Sequence, residues 1–162
     1  MNTRVDRDSA EHAPGVTREV VFRADRTVAS AMALGVLSFW GVSLAMRRGL
    51  SEAFFGLPPS TATNVVLALM LAAVIAAFML RGRAIEAAAA ARREHATELA
   101  GLAALRSRLI AAWAILEAPA LLAGVVHFTT GAEQVLVWTG PVYMVGFALT
   151  FPRPEWYGVP GH

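Results

Sequence analysis

The chain contains no cysteine, which excludes disulfides, thiolate catalysis, iron–sulfur clusters and cysteine zinc sites. It contains no lysine either, because all 14 basic residues are arginine, a trace of genome composition rather than of mechanism. Charge of both signs is scarce: Asp, Glu, Lys and Arg together make up 16% of the chain, against about 25% in a soluble domain. The net charge of +2 is too small to argue for a nucleic-acid partner.

What fills the space is apolar. Hydrophobic residues account for 56% of the 162 positions, and the mean hydropathy is +0.52. They are bunched into four stretches, each close to the roughly 20 residues that cross a hydrocarbon core. The stretches are residues 27–46, 61–80, 109–128 and 132–151, bounded by Arg26, the pair Arg47-Arg48, Arg81, Arg108 and Pro152-Arg153. The first is too long for a signal-peptide core and ends at arginines with no small-residue cleavage site, so it reads as an uncleaved anchor. The fold class expected is all-α: an integral membrane four-helix bundle of two antiparallel hairpins. Residues 1–26 form a polar N-terminal tail, 27–151 the membrane domain and 152–162 a C-terminal tail.

Arginine sets the orientation. Five arginines lie in the N-terminal tail, six between the second and third stretches and one in the C-terminal tail, against Arg47 and Arg48 alone in the other connections. Under the positive-inside rule, both termini and the middle connection are cytoplasmic. The localisation expected is the cytoplasmic (inner) membrane of a bacterium, and the bilayer itself is the first partner.

The middle connection, Gly82 to Leu105, is rich in alanine, the best helix former. Leu99, Leu102, Leu105 and Leu109 recur at helical spacing. A helical cytoplasmic connection follows, solvated in its ordinary use, with Gly101 as the point where it breaks. Val16 to Arg26 is placed along the headgroups, where arginine meets anionic lipid. Trp156 and Tyr157 are interfacial anchors. In the first outer loop, Phe54 and Phe55 beside Pro58-Pro59 read as a plain anchoring loop.

One residue points to chemistry. Glu117 lies at the centre of the third stretch, where a charge costs about 2.5–3.5 kcal/mol on insertion scales. Arg108 is nine residues away along the same helix, about 13 Å, too far to neutralise it. Glu117 therefore either bonds inside the bundle or stays protonated. Ala120, Leu121 and Gly124 share its helical face, and small residues admit a neighbouring helix. Pro119 removes a backbone hydrogen bond beside it, and Pro141 does so at similar depth in the fourth stretch. Tyr143 is the first candidate to partner Glu117, with Asn64 and Ser38 behind it. His127 is read as an interfacial histidine. No metal-ligand spacing, no paired carboxylates within the stretches and no Ser/His/Asp arrangement is present, and the four histidines are scattered. The expectation is a protein without enzymatic activity, metal or cofactor.

The stretch Ala114-Ile-Leu-Glu-Ala-Pro-Ala-Leu-Leu-Ala-Gly-Val-Val126 resembles the ion-carrying helix of the proteolipid (c-type) subunits of rotary ATPases. The resemblance implies that Glu117 matches the mid-membrane glutamate that binds a proton or cation in that family. The chain departs from the family elsewhere. The first stretch holds only Gly35 and Gly41 where the family has a glycine-rich helix, and Glu117 sits in the third of four spans rather than the last of a hairpin. The sequence also looks like small bacterial four-span membrane proteins that carry such a glutamate, for which no activity is implied. Two functions follow as expectations. One is a structural or accessory protein that packs against a larger membrane assembly or a second copy. The other is a proton- or cation-binding membrane protein centred on Glu117.

Overall fold

The structure, a computed structural model, describes residues 14–47, 58–93 and 98–159. The tail before residue 14, the loop carrying Phe54 and Phe55, and His12, His95 and His162 lie outside the described residues. Four long helices run α1 (Pro14–Arg47), α2 (Pro59–Arg93), α3 (Glu98–Thr130) and α4 (Glu133–Thr150), followed by the single turn α5 (Pro154–Tyr157). All four long helices are long and apolar enough to cross a membrane.

Three of them outreach a bilayer. α2 has 35 residues, about 52 Å at 1.5 Å per residue, against a hydrocarbon core of about 30 Å. The excess lies at the arginine-rich end, which carries the start of α1, the reversal between α2 and α3, and α5. The helix of α1 begins at Pro14, in the first-turn position that tolerates proline, and runs unbroken through Arg26 into the apolar stretch. Val16 to Arg26 is therefore a helical continuation of the span.

Helix ends follow from local chemistry. Gly131 takes φ +72 and donates its N–H to the His127 carbonyl at 2.8 Å, closing α3 with a left-handed residue that glycine adopts without strain. Thr130 adds a hydroxyl bond to the Val126 carbonyl, and its Oγ1 accepts the Ala132 N–H, so α3 and α4 are joined through two residues. α4 stops at Phe151, which is extended (φ −61, ψ 135) because Pro152 follows it. The last carbonyls of α4 are not left bare. Arg81 of α2 donates to the Leu149 carbonyl at 2.8 Å and the Trp113 indole of α3 donates to the Thr150 carbonyl at 3.1 Å.

α3 is the central element, packed against α1, α2 and α4, while α2 also packs on α4. The expected all-α four-helix bundle forms, and within it α1 packs chiefly on α3 rather than on its chain neighbour α2. Small residues on α3 explain the choice. The Trp40 indole donates to the Ala120 carbonyl at 2.6 Å and Ser43 donates to the Gly124 carbonyl at 2.9 Å. Both bonds require α1 to approach the α3 backbone closely. A Cβ on Gly124 would fall 2.5 Å from a Phe39 ring carbon.

Two apolar cores result. One fills the membrane-depth bundle around Val36, Met70, Leu116, Ala120 and Tyr143. The other gathers Phe22, Ala84, Ala88, Leu102, Leu105, Leu109, Trp113 and Tyr157 at the arginine-rich end. The described parts of the middle connection are thus packed along one face, through Ala84, Ala88, Leu102 and Leu105. Gly101 does not break the helix but lies buried inside α3, where its Cβ position is 3.1 Å from Ala91 Cβ of α2. Large apolar side chains cover the exterior, with Leu34, Ile75 and Val137 each 63% exposed and Trp138 60%. Water would oppose such a surface, and lipid suits it.

Candidate functional site

Glu117 projects from α3 on the side of the α1 seam, since Ala120 and Gly124, which receive Trp40 and Ser43, stand three and seven residues along the same face. It is half-buried. Tyr143 of α4 is fully buried, and no hydrogen bond joins it to Glu117. Glu117 makes no hydrogen bond or ion pair with any described residue. Asn64 and Ser38 are exposed on the outside of the bundle.

Tyr143 is held by aromatic neighbours. Its ring meets Trp40 edge-on at 5.8 Å and lies 6.0 Å from Phe147. Pro119 is buried and Pro141 exposed, and each lies inside its helix without ending it. The α1 and α3 backbones are bridged beside Glu117 by indole and hydroxyl donors, so the seam is rigid while the carboxyl is left unbonded. In apolar surroundings a polar group without a bond is costly.

Sequence reasoning missed two buried polar groups. The first is Asp25, whose side chain is fully buried. Tyr157 donates to its Oδ2 at 2.8 Å. Arg106 of α3 places Nε 3.0 Å from Oδ1 but off the hydrogen-bond direction, so that contact is electrostatic. Burial pushes the Asp25 carboxyl above the usual carboxylate range, and the Tyr157 hydroxyl and Arg106 oppose that shift without cancelling it. The helical spacing of Phe22, Asp25 and Ala29, all buried on one face, was the available signal.

The second is His127. It lies at the outer end of α3 as expected, but it is 1% exposed and both ring nitrogens lack a hydrogen-bond partner among the described residues. It shares its face with Ala120, Ala123 and Thr130, so it turns into the bundle rather than to the interface. Among the described residues no three or more His, Asp or Glu side chains gather into a metal-like group. No protein-family model, curated protein or solved structure matches the chain.

Proposed function

We propose that this chain is a small polytopic inner-membrane protein that serves as a structural or accessory component of a larger membrane assembly, with Glu117 as the residue that a partner helix satisfies. One observation carries the reading: Glu117, a half-buried carboxyl in the middle of the third span, bonds to none of the described residues. An unbonded acidic group in lipid is costly, and a neighbouring subunit offering a hydroxyl, amide or basic group removes that cost. The distribution of arginine, 12 on the side of the termini and two on the other, supports cytoplasmic tails.

Copurification of the tagged full chain in mild detergent tests this. A stable complex, with another membrane protein or a second copy, is the expected result. Glu117→Gln keeps the complex, because an amide still bonds across the interface. Glu117→Leu, which fills the same space without polar atoms, weakens it by about tenfold, as loss of a charge-assisted bond implies. Recovery of wild type and Glu117→Leu alike as free monomers would sink the reading.

A second reading, a proton- or cation-binding protein centred on Glu117, draws on Tyr143, which packs on Trp40 beside the Glu117 face of α3. It differs from the first in what Glu117→Gln does to function. Carbodiimide would label Glu117 at neutral pH, and Glu117→Gln would abolish function while leaving any complex intact.

A further inference from the structure

An open groove of about 620 Å³ runs along α1 at the arginine-rich end, lined by Arg23, Arg26, Thr27, Ser30, Ala31 and Leu34. These residues recur at three- and four-residue spacing, so they form one face of the helix. Their order along the axis is graded: two guanidiniums, two hydroxyls, a methyl, then a branched alkyl side chain. From Arg23 to Leu34 is eleven residues, about 16 Å. That matches the order met on descending into a phospholipid: phosphate, glycerol esters, acyl chain.

We propose that this groove is a binding site for one anionic phospholipid. The phosphate sits between Arg23 and Arg26, the ester region lies beside Ser30, and an acyl chain lies against Ala31 and Leu34. The charge is available for it. Arg26 forms no ion pair with a described carboxylate, and its guanidinium is held over two rings, 5.6 Å from the Phe22 centroid and 5.7 Å from that of Phe151. Those rings fix the cation in place without neutralising it. Arg23 pairs with Glu19, but both side chains are solvent-exposed, 75% and 45% respectively, so a phosphate displaces the carboxylate at little cost. Thr27 spends its hydroxyl on the Arg23 carbonyl, leaving Ser30 as the hydroxyl free to donate. The site rests on the membrane reading of α1 and is independent of any role for Glu117.

The absence of cysteine allows a direct test. The full chain carrying Leu34→Cys is labelled with bimane and reconstituted in phosphatidylcholine vesicles containing a minor fraction of phosphatidylglycerol. Quenching by brominated acyl chains is compared between the two lipids. Brominated phosphatidylglycerol should quench more at equal mole fraction. Arg26→Gln should lower that preference about fivefold, the contribution of one interfacial arginine. Arg153→Gln, which removes the same charge from the same end, should leave it unchanged. Arg26 packs on two rings, so Ser30→Leu, which fills the groove and leaves both guanidiniums, provides a second variant and should also remove the preference. Equal losses in Arg26→Gln and Arg153→Gln would overturn the site in favour of diffuse attraction. Quenching without lipid preference in the labelled parent would overturn it outright. Abolition of the preference by inorganic phosphate would reassign the groove to free phosphate and overturn the lipid.

Discussion

The phenol of Tyr157 donates a hydrogen bond to Oδ2 of Asp25 at 2.8 Å, across 132 positions of sequence. With Arg106 on the other carboxylate oxygen, three elements that share no loop (α1, α3 and α5) are tied at one buried point. The Tyr157 ring also packs on Phe22 at 5.4 Å, so the α5 turn is held by both its polar and its apolar parts.

Removing the hydroxyl alone isolates its contribution. Tyr157→Phe leaves the ring contact intact but deprives a fully buried carboxylate of its one well-directed donor among the described residues. The expected loss is about 1–3 kcal/mol, the cost of an unsatisfied buried acceptor, read as a lower midpoint of thermal unfolding in detergent. Asp25→Asn removes the charge that makes the bond strong. Combined with Tyr157→Phe it should cost less than the sum of the two single changes, with a coupling of about 0.5–3 kcal/mol. Strict additivity would show that the bond seen between the two side chains contributes nothing to the fold.

The α1–α3 seam makes a second claim on stability. A Cβ on Gly124 would meet Phe39 at 2.5 Å and Trp40 at 3.0 Å, both aromatic, and Trp40 is buried. Gly124→Leu should therefore force α1 away from α3 and break the Trp40 and Ser43 bonds, costing about 1–3 kcal/mol for the overpacking alone. Gly35→Ala is the contrast, since a Cβ there meets nothing within 4 Å. It should be neutral or stabilising by up to about 1 kcal/mol, because alanine is the better helix former. Equal unfolding midpoints for the two variants would mean that the seam is not closely packed.

The spans were legible in the sequence because lipid demands uninterrupted apolar runs, and nothing else in a chain of this size produces four of them. Gly101 was misread for a physical reason: the same residue that breaks a solvent-exposed helix permits close approach in a packed one, and only the presence of Ala91 opposite decides between them. Asp25 looked like one more charge in a polar tail. The spacing of Phe22, Asp25 and Ala29 signals its burial, but the bond it makes depends on Tyr157 and Arg106, which arrive from distant segments. Glu117 stood out because its cost is set by depth alone. What meets that cost was invisible, and the described residues of this chain do not supply it.

His127 differs from Asp25 in that no described residue compensates its burial. Both ring nitrogens lack a hydrogen-bond partner among the described residues, and the side chain is 1% exposed. A buried polar group without a partner costs about 1–3 kcal/mol by mutational measures. Leucine has a similar reach and no polar atoms. His127→Leu should therefore raise the unfolding midpoint of the isolated chain by up to that amount, which few substitutions at a fully buried position would do. His127→Ala serves as the counterpart, because it removes the same polar atoms but opens a cavity beside Ala123 and Thr130 and should destabilise. If His127→Leu instead destabilises as much as His127→Ala, the imidazole is bonded to something the isolated chain retains, such as a tightly held water, and its burial is compensated after all.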